Sequence, residues 1–190
     1  MVASCAEKTY TGTTIGDVVA GAHISRTTFY REFDDKRACF DAALEHCIEE
    51  VRGAAAGACS ADEPPAQAVR EATAAVLDLL AARPELVHLL VGEAIAVDPA
   101  VVERYRDLVV PAVSGLWGSD EENEMHLDPR LAFGRAQLLI FDQVTAGDAG
   151  ALSELLPEVV YLAVGPFAGH DAAIEEARAC PGPVAGAAAR

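Results

Sequence analysis

The chain has 190 residues, a formal net charge of −16, 52% hydrophobic residues and only 6% aromatics. That length buries one substantial core, or a small head plus a larger body. The charge excludes general electrostatic affinity for nucleic acid, because phosphate contacts need cations. Strand-like alternation is scarce, so an all-α class is expected. There is no uncharged apolar run of about eighteen residues to cross a membrane, and the N-terminus lacks the basic-then-apolar layout of a signal peptide. A cytoplasmic chain with no membrane partner is expected. The cysteines, Cys5, Cys39, Cys47, Cys59 and Cys180, are odd in number and form no CxxC pair. Neither a zinc site nor a disulfide framework is expected, and no cofactor.

Residues 1 to 8, MVASCAEK, read as the tail of a first helix whose beginning is absent. Val2, Ala3, Cys5 and Ala6 supply about two turns, a marginal cover for the second and third helices. Either a start codon assigned too far downstream or a shortened helix would produce this. Tyr10 is expected to plug this helix onto the second, which Thr13 or Thr14 caps. Ile15, Val18 and Val19 repeat at three-to-four spacing, and Ala20-Gly21-Ala22-His23 breaks that period. Ser25 offers an N-cap to the next helix. There Phe29 and Phe33 fall four apart and pack inward, leaving Arg26, Thr27, Tyr30 and Arg31 for the outer faces. The helix stops at Asp34-Asp35, and Lys36 begins another. Two short helices, a tight turn and outward Ser, Thr, Tyr and Arg make a helix-turn-helix layout. Its second helix can lie in the major groove with its first residues facing base edges.

The segment TTIGDVVAGAHISRTTFYREFDDKRACFDAALE resembles the DNA-binding region of the tetracycline-repressor (TetR) family of bacterial regulators. The marks are Thr13-Thr14-Ile15, Asp17, Ile24-Ser25, Thr28-Phe29-Tyr30, Phe33 and Lys36, dense over roughly residues 6 to 50. The resemblance implies a recognition helix opened by Ser25, Arg26 and Thr27, with Arg26 placed to pair with a guanine edge. It implies that Thr14, Thr28 and Tyr30 contact the duplex and that Lys36 anchors a phosphate. Two positions depart from the family: the first helix is short, and His23 stands at a turn position that is usually glycine. His tolerates a left-handed backbone there at modest cost. Cys39 stands where the family has an apolar residue and reads as a buried thiol. From Arg26 to Arg37 four basic residues face three acidic ones, Glu32, Asp34 and Asp35, a near-neutral tip on an acidic chain.

The connecting helix runs from Lys36 to about Ala56, and Ser60 to Pro65 is a clear break. This divides a DNA-binding domain, residues 1–52, from a helical ligand-binding and dimerisation domain, residues 53–190. Helices are expected at Ala66–Ala82, 85–97, Ala100–Trp117 with Pro111 kinking it, Arg130–Ala146 and Leu152–Phe167. GSDEENEMHLDP, Gly118 to Pro129, reads as an acidic loop, and the chain from Ala168 as a tail that is poorly ordered at its end. The last two helices, joined by Gly147-Asp148-Ala149-Gly150, should form a hairpin. By resemblance that hairpin pairs with a second copy through Leu138, Phe141, Val144, Leu152, Leu155, Leu156, Val159 and Val160. Isolated polar groups in apolar helices mark contacts for an unknown small-molecule effector: His88, Glu93, Tyr105, Trp117 and Gln137, with Arg104 and Gln143 beside them. His88 and Glu93 lie five apart, which a regular α-helix does not align.

No phosphate-binding glycine loop, nucleophile elbow or metal-ligand cluster occurs, and His88 with Glu93, or His126 with the acidic loop, has no catalytic spacing. The chain therefore reads as a transcriptional regulator and not an enzyme, a ligand-relieved repressor binding a palindromic double-stranded DNA operator as a homodimer. The alternative is a dimeric all-helical small-molecule-binding protein in which the short first helix has weakened DNA recognition.

Overall fold

The structure is a computed structural model and describes residues 1–60, 62–117 and 128–181. Among these residues every regular element is helical.

The head is built from α1 (Val2–Gly12), α2 (Ile15–Gly21) and α3 (Arg26–Glu32). α1 reaches Gly12 instead of fading after Lys8, with a break at Thr9, whose φ of 63° and ψ of 165° are non-helical. Cys5 is 2% exposed, and Met1, Val2 and Tyr10 pack with it against the body. α2 starts at a reciprocal cap. The Asp17 N–H donates to Thr14 Oγ1, and the Thr14 N–H donates to Asp17 Oδ2 at 2.8 Å. His23 has φ 54°, the left-handed turn expected of it. α3 is capped by Ser25, whose Oγ accepts the Thr28 N–H at 3.0 Å. Phe29, Val18 and Cys39 form the head's own core, with Ile15, Val19 and Phe33 around them. Tyr10 does not plug α1 onto α2. The chain turns at Thr9, and the Tyr10 ring instead meets Phe40 of the connecting helix edge-on at 4.7 Å.

α4 (Lys36–Ala58) opens on Asp35, whose carboxylate accepts the Ala38 N–H, and carries Phe40, Leu44 and Cys47 from head into body. α5 (Pro65–Ala82) packs between α4 and α10 (Leu156–Ala179). Next comes one apolar rod, α6 (Pro84–Val87), a π-helical turn (His88–Glu93) and α7 (Ala94–Val97). α8 (Val101–Ser114) ends three residues after Pro111 and tightens into a 3₁₀ turn, Gly115–Trp117. The acidic loop lies outside the described residues except for Asp128 and Pro129, and His126 lies outside them too. α9 (Pro129–Thr145) packs on α10 as the expected hairpin, joined through Gly147 at φ 84° and a 3₁₀ turn, Ala149–Leu155.

Two expectations for this hairpin are corrected. The helix does not end at Phe167 but continues to Ala179, with the chain reversing at Gly169 (φ 81°, ψ 175°). The returning segment packs back on the first: Ala173 Cβ lies 3.8 Å from where a Gly165 side chain would begin, and Tyr161 Oη is 3.0 Å from His170 Nδ1. Ala173 and Cys180 close the second core with Val69, Leu77, Leu156, Val160 and Val164, and Arg70 of α5 pairs with Glu176. The stretch Ala149–Ala179 is apolar enough for a span, at mean hydropathy 1.3, but this reversal cuts it in two. The second correction concerns the expected partner-facing residues. Val144, Leu152, Leu156, Val159 and Val160 are 0–7% exposed within the single chain. Val144 and Leu152 pack in one core with Leu80, Leu86 and Leu89, while Leu156 and Val160 pack in the second with Val69, Leu77 and Ala173. Phe141 and Leu155 are partly buried against the other core. Leu138, 54% exposed, stays free on α9, as does Leu131 at 68%.

Gly169 occupies a backbone region that is essentially closed to other residues, so Gly169→Ala should cost about 1–3 kcal/mol in urea unfolding; an unchanged midpoint would contradict the reversal. Of the five thiols only Cys59 is exposed, and burial pushes the Cys47 thiol up to about 11. The native protein should release one thiol rapidly to a disulfide reagent at neutral pH and the rest only on unfolding. Two or more rapid thiols would contradict that packing.

Candidate nucleic-acid interface

α3 is short because Ser25 starts it and Phe33 leaves the helix, its N–H still bonded to the Phe29 carbonyl. Phe29 is 1% exposed and anchors the inner face. Helical spacing then forces Arg26, Thr27, Tyr30 and Arg31 outward. With Thr28 they line one shallow open depression. Tyr30 is 53% exposed and held edge-on against Phe29 at 5.4 Å, so its hydroxyl is presented on a braced ring. Ser25 and Thr28 engage each other, with their hydroxyls 2.9 Å apart. Their side chains serve the start of the helix, as the Thr14 hydroxyl serves α2 by donating to Asp17 Oδ2 at 2.7 Å.

The cations divide by role. Arg31 pairs with Glu32, and Arg37 with Asp41 and Asp98. Among the described residues Arg26 has no carboxylate partner, and its guanidinium rests beside Gly16 of α2, 3.5 Å from where a side chain there would begin. Arg26 is therefore the α3 cation without a carboxylate partner among the described residues. Arg31 shares the depression and is not among the contacts expected from sequence. Its spacing of four from Thr27 on the outer face was the available signal. Lys36 is placed differently from the phosphate anchor expected of it. Its Nζ donates to the carbonyls of Tyr10 and Thr13, each at 3.0 Å, and lies 4.2 Å from the Tyr10 ring centroid. Lys8 pairs with Asp17 at the surface. Together with the Thr14 contacts it holds the Asp17 carboxyl well below the usual carboxylate range. A depressed carboxylate contributes to stability above its ordinary pKa and loses that contribution only as pH falls through the depressed value. The α2 cap therefore persists into acid.

The body residues expected to meet one ligand are not gathered. Tyr105 alone of the five, with Arg104, lines a cavity of about 170 Å³ between α4 and α8, closed by Asp41, Leu44, Glu45, Ile48 and Leu108. The Tyr105 Oη is buried without a hydrogen-bond partner, and burial raises its pKa far above the ordinary tyrosine value. Glu93 is occupied, with Oε2 accepting the Tyr10 backbone N–H at 2.6 Å. Trp117 stacks on Phe167 at 5.3 Å and closes the α8–α10 seam. His88 is half-buried in the π turn and Gln137 half-buried on α9. Gln143 ties down the hairpin loop through Asp148. Arg104 reaches Asp98 at 3.3 Å. Glu93, Trp117 and Gln143 thus serve separate contacts, and only Tyr105 and Arg104 of these polar groups line the cavity.

Removing the Lys36 ammonium takes the side-chain donor from the Thr13 carbonyl and leaves the Tyr10 carbonyl with only the Thr13 N–H at 3.2 Å. Lys36→Met should lower head stability by about 1–3 kcal/mol, read as faster amide exchange in α1 and α2, whereas Arg26→Ala should leave stability within about 0.5 kcal/mol. Equal stability of both variants would contradict the division of roles.

Residues 2–43 match the family model described as bacterial regulatory proteins, tetR family. Comparison with curated proteins and with solved structures gave no match. The matched segment spans the capped helix pair, the left-handed turn at His23 and the outward face of α3, and over these residues the chain is similar to bacterial regulatory proteins of the tetR family.

Proposed function

We propose that the protein is a repressor that binds a palindromic operator as a homodimer and is released by a small ligand, acting in the cytoplasm where the DNA is. The observation that carries the reading is α3, a rigidly capped helix whose outward face presents Arg26, Thr27, Tyr30 and Arg31. With a net charge of −16, one head has little general attraction for phosphate, so selective binding needs base contacts made twice. Two heads on one duplex face read half-sites about 34–36 Å apart.

Support for the homodimer comes from α9. Leu131 and Leu138 lie seven residues apart on one face and are the most exposed large apolar side chains on that helix, a stripe that a second copy would cover. Support for an effector comes from the α4–α8 cavity. Its apolar walls, carboxylates Asp41 and Glu45 and the unsatisfied Tyr105 hydroxyl suit a small ligand, and α4 is the helix that carries the head. A ligand acts there only by preferring one tilt of α4 over another.

Fluorescence anisotropy with duplexes from upstream of the protein's own gene, against scrambled DNA over a range of salt, tests the reading. Arg26→Ala should cost about 1–3 kcal/mol on the selected duplex and relax base preference, while Tyr30→Ala should weaken binding to all sequences. Unchanged binding in both variants would remove α3 from the contact. Leu131→Asp with Leu138→Asp should convert a dimer to a monomer in light scattering and abolish selective binding at the same protein concentration. A dimer that survives both changes would place the interface elsewhere.

A further inference from the structure

The contact between head and body is irregular on both sides. On the head side α1 breaks at Thr9, a β-branched residue at φ 63° and ψ 165°, in a region that is essentially glycine's own. On the body side the rod widens into the π turn His88–Glu93, a form that recurs at functional sites. The two irregularities meet in one hydrogen bond, from the Tyr10 N–H to Glu93 Oε2 at 2.6 Å. An unbroken α1 would send that N–H back to the Ala6 carbonyl. The break at Thr9 turns it outward, and Glu93 receives it. The carbonyl of Tyr10 accepts from Lys36, which also holds the carbonyl of Thr13, next to the residue that caps α2. Tyr10 is thus gripped by a body carboxylate on its N–H and by an ammonium of the connecting helix on its carbonyl. The same π turn is touched from α9, where Phe141 Cε2 lies 3.4 Å from where a Gly92 side chain would begin.

We propose that Glu93 is a positioning residue for DNA recognition, fixing the angle between head and body through the Tyr10 backbone. The strained dihedrals of Thr9 persist because Glu93 supplies an acceptor that the regular helix would not need. In the second state Thr9 relaxes to helical angles, the Tyr10 N–H returns to Ala6, and the head leaves the π turn. Movement of α9 at the Phe141–Gly92 contact biases the π turn and hence which state is occupied. This inference rests on α3 being the DNA-reading helix.

The test compares wild type, Glu93→Ala and Glu93→Gln by hydrogen exchange at the Tyr10 amide and by affinity for the duplex that wild type selects from random DNA. Glu93→Ala should speed Tyr10 exchange about tenfold with α5 amides unchanged. It should also weaken duplex binding about fivefold or more at an unchanged salt slope, since Glu93 touches no phosphate. Glu93→Gln keeps an acceptor oxygen in place and should restore most of both. Unchanged Tyr10 exchange in Glu93→Ala overturns the contact, and faster exchange with unchanged affinity overturns the positioning role. If wild type selects no duplex, the DNA reading fails, and the exchange measurement still decides the contact separately. Should Glu93→Ala not fold, Thr9→Gly carries the test. Glycine favours the broken geometry and disfavours the helical one, so Tyr10 exchange should slow. Faster exchange would overturn the two-state account.

Discussion

A lysine ammonium set among backbone carbonyls holds the head together. Val18, Phe29 and Cys39 are the buried residues of its own core, and burial of each large side chain is worth about 1.5–3 kcal/mol. So small a cluster cannot by itself fix three short helices and the start of a fourth. Lys36 adds two hydrogen bonds to the carbonyls of Tyr10 and Thr13 and a cation–π contact with the Tyr10 ring. Those carbonyls lie at the C-terminal end of α1, where a cation is favoured, and the Tyr10 carbonyl also accepts the Thr13 N–H at 3.2 Å. One group therefore ties α1 to α4 and sets where α2 begins. The pose of α3 follows, because Phe29 packs on Val18 of α2 and Cys39 of α4.

Charge is distributed to suit selectivity. Most head cations are spent on intramolecular carboxylates or carbonyls, and Arg26 is left without a carboxylate among the described residues. A head of that kind gains little from phosphate alone, so under the proposed function discrimination falls on a few side chains of one seven-residue helix. The body contributes geometry in place of charge. α4 runs from head to body as one helix, and Glu93 reaches from the apolar rod to the α1 backbone. Orientation of the reading face is thereby tied to the packing of helices far from it.

The helix-turn-helix was legible because its determinants are local. The Thr14–Asp17 cap, Ser25 as N-cap, the left-handed His23 and the inward pair Phe29 and Phe33 are set within a few residues of themselves. The roles of Lys36 and Glu93 were not legible in that way. Their partners lie 26 and 83 residues away, and both partners are backbone atoms, which leave no trace in side-chain identity. The end of α10 was misjudged for a related reason. Ala-Gly composition reads as a tail, whereas Gly169 in its special backbone region folds an alanine-rich helix back where small residues permit close approach. Apolar periodicity on α9 and α10 identified residues that are buried, but not whether the burying surface belongs to the same chain. Val160 and Leu152 are covered from within, Leu138 is not.

The central claim is that α3, held by this arrangement, reads DNA sequence in two symmetric copies. Selection of bound duplexes from a random library at moderate salt tests it most directly, since it assumes no operator. The account predicts enrichment of one half-site repeated in inverted orientation, with centres about 10–10.5 base pairs apart or a multiple of that. Recovery of no shared sequence, or of a single half-site without its inverted copy, would contradict it.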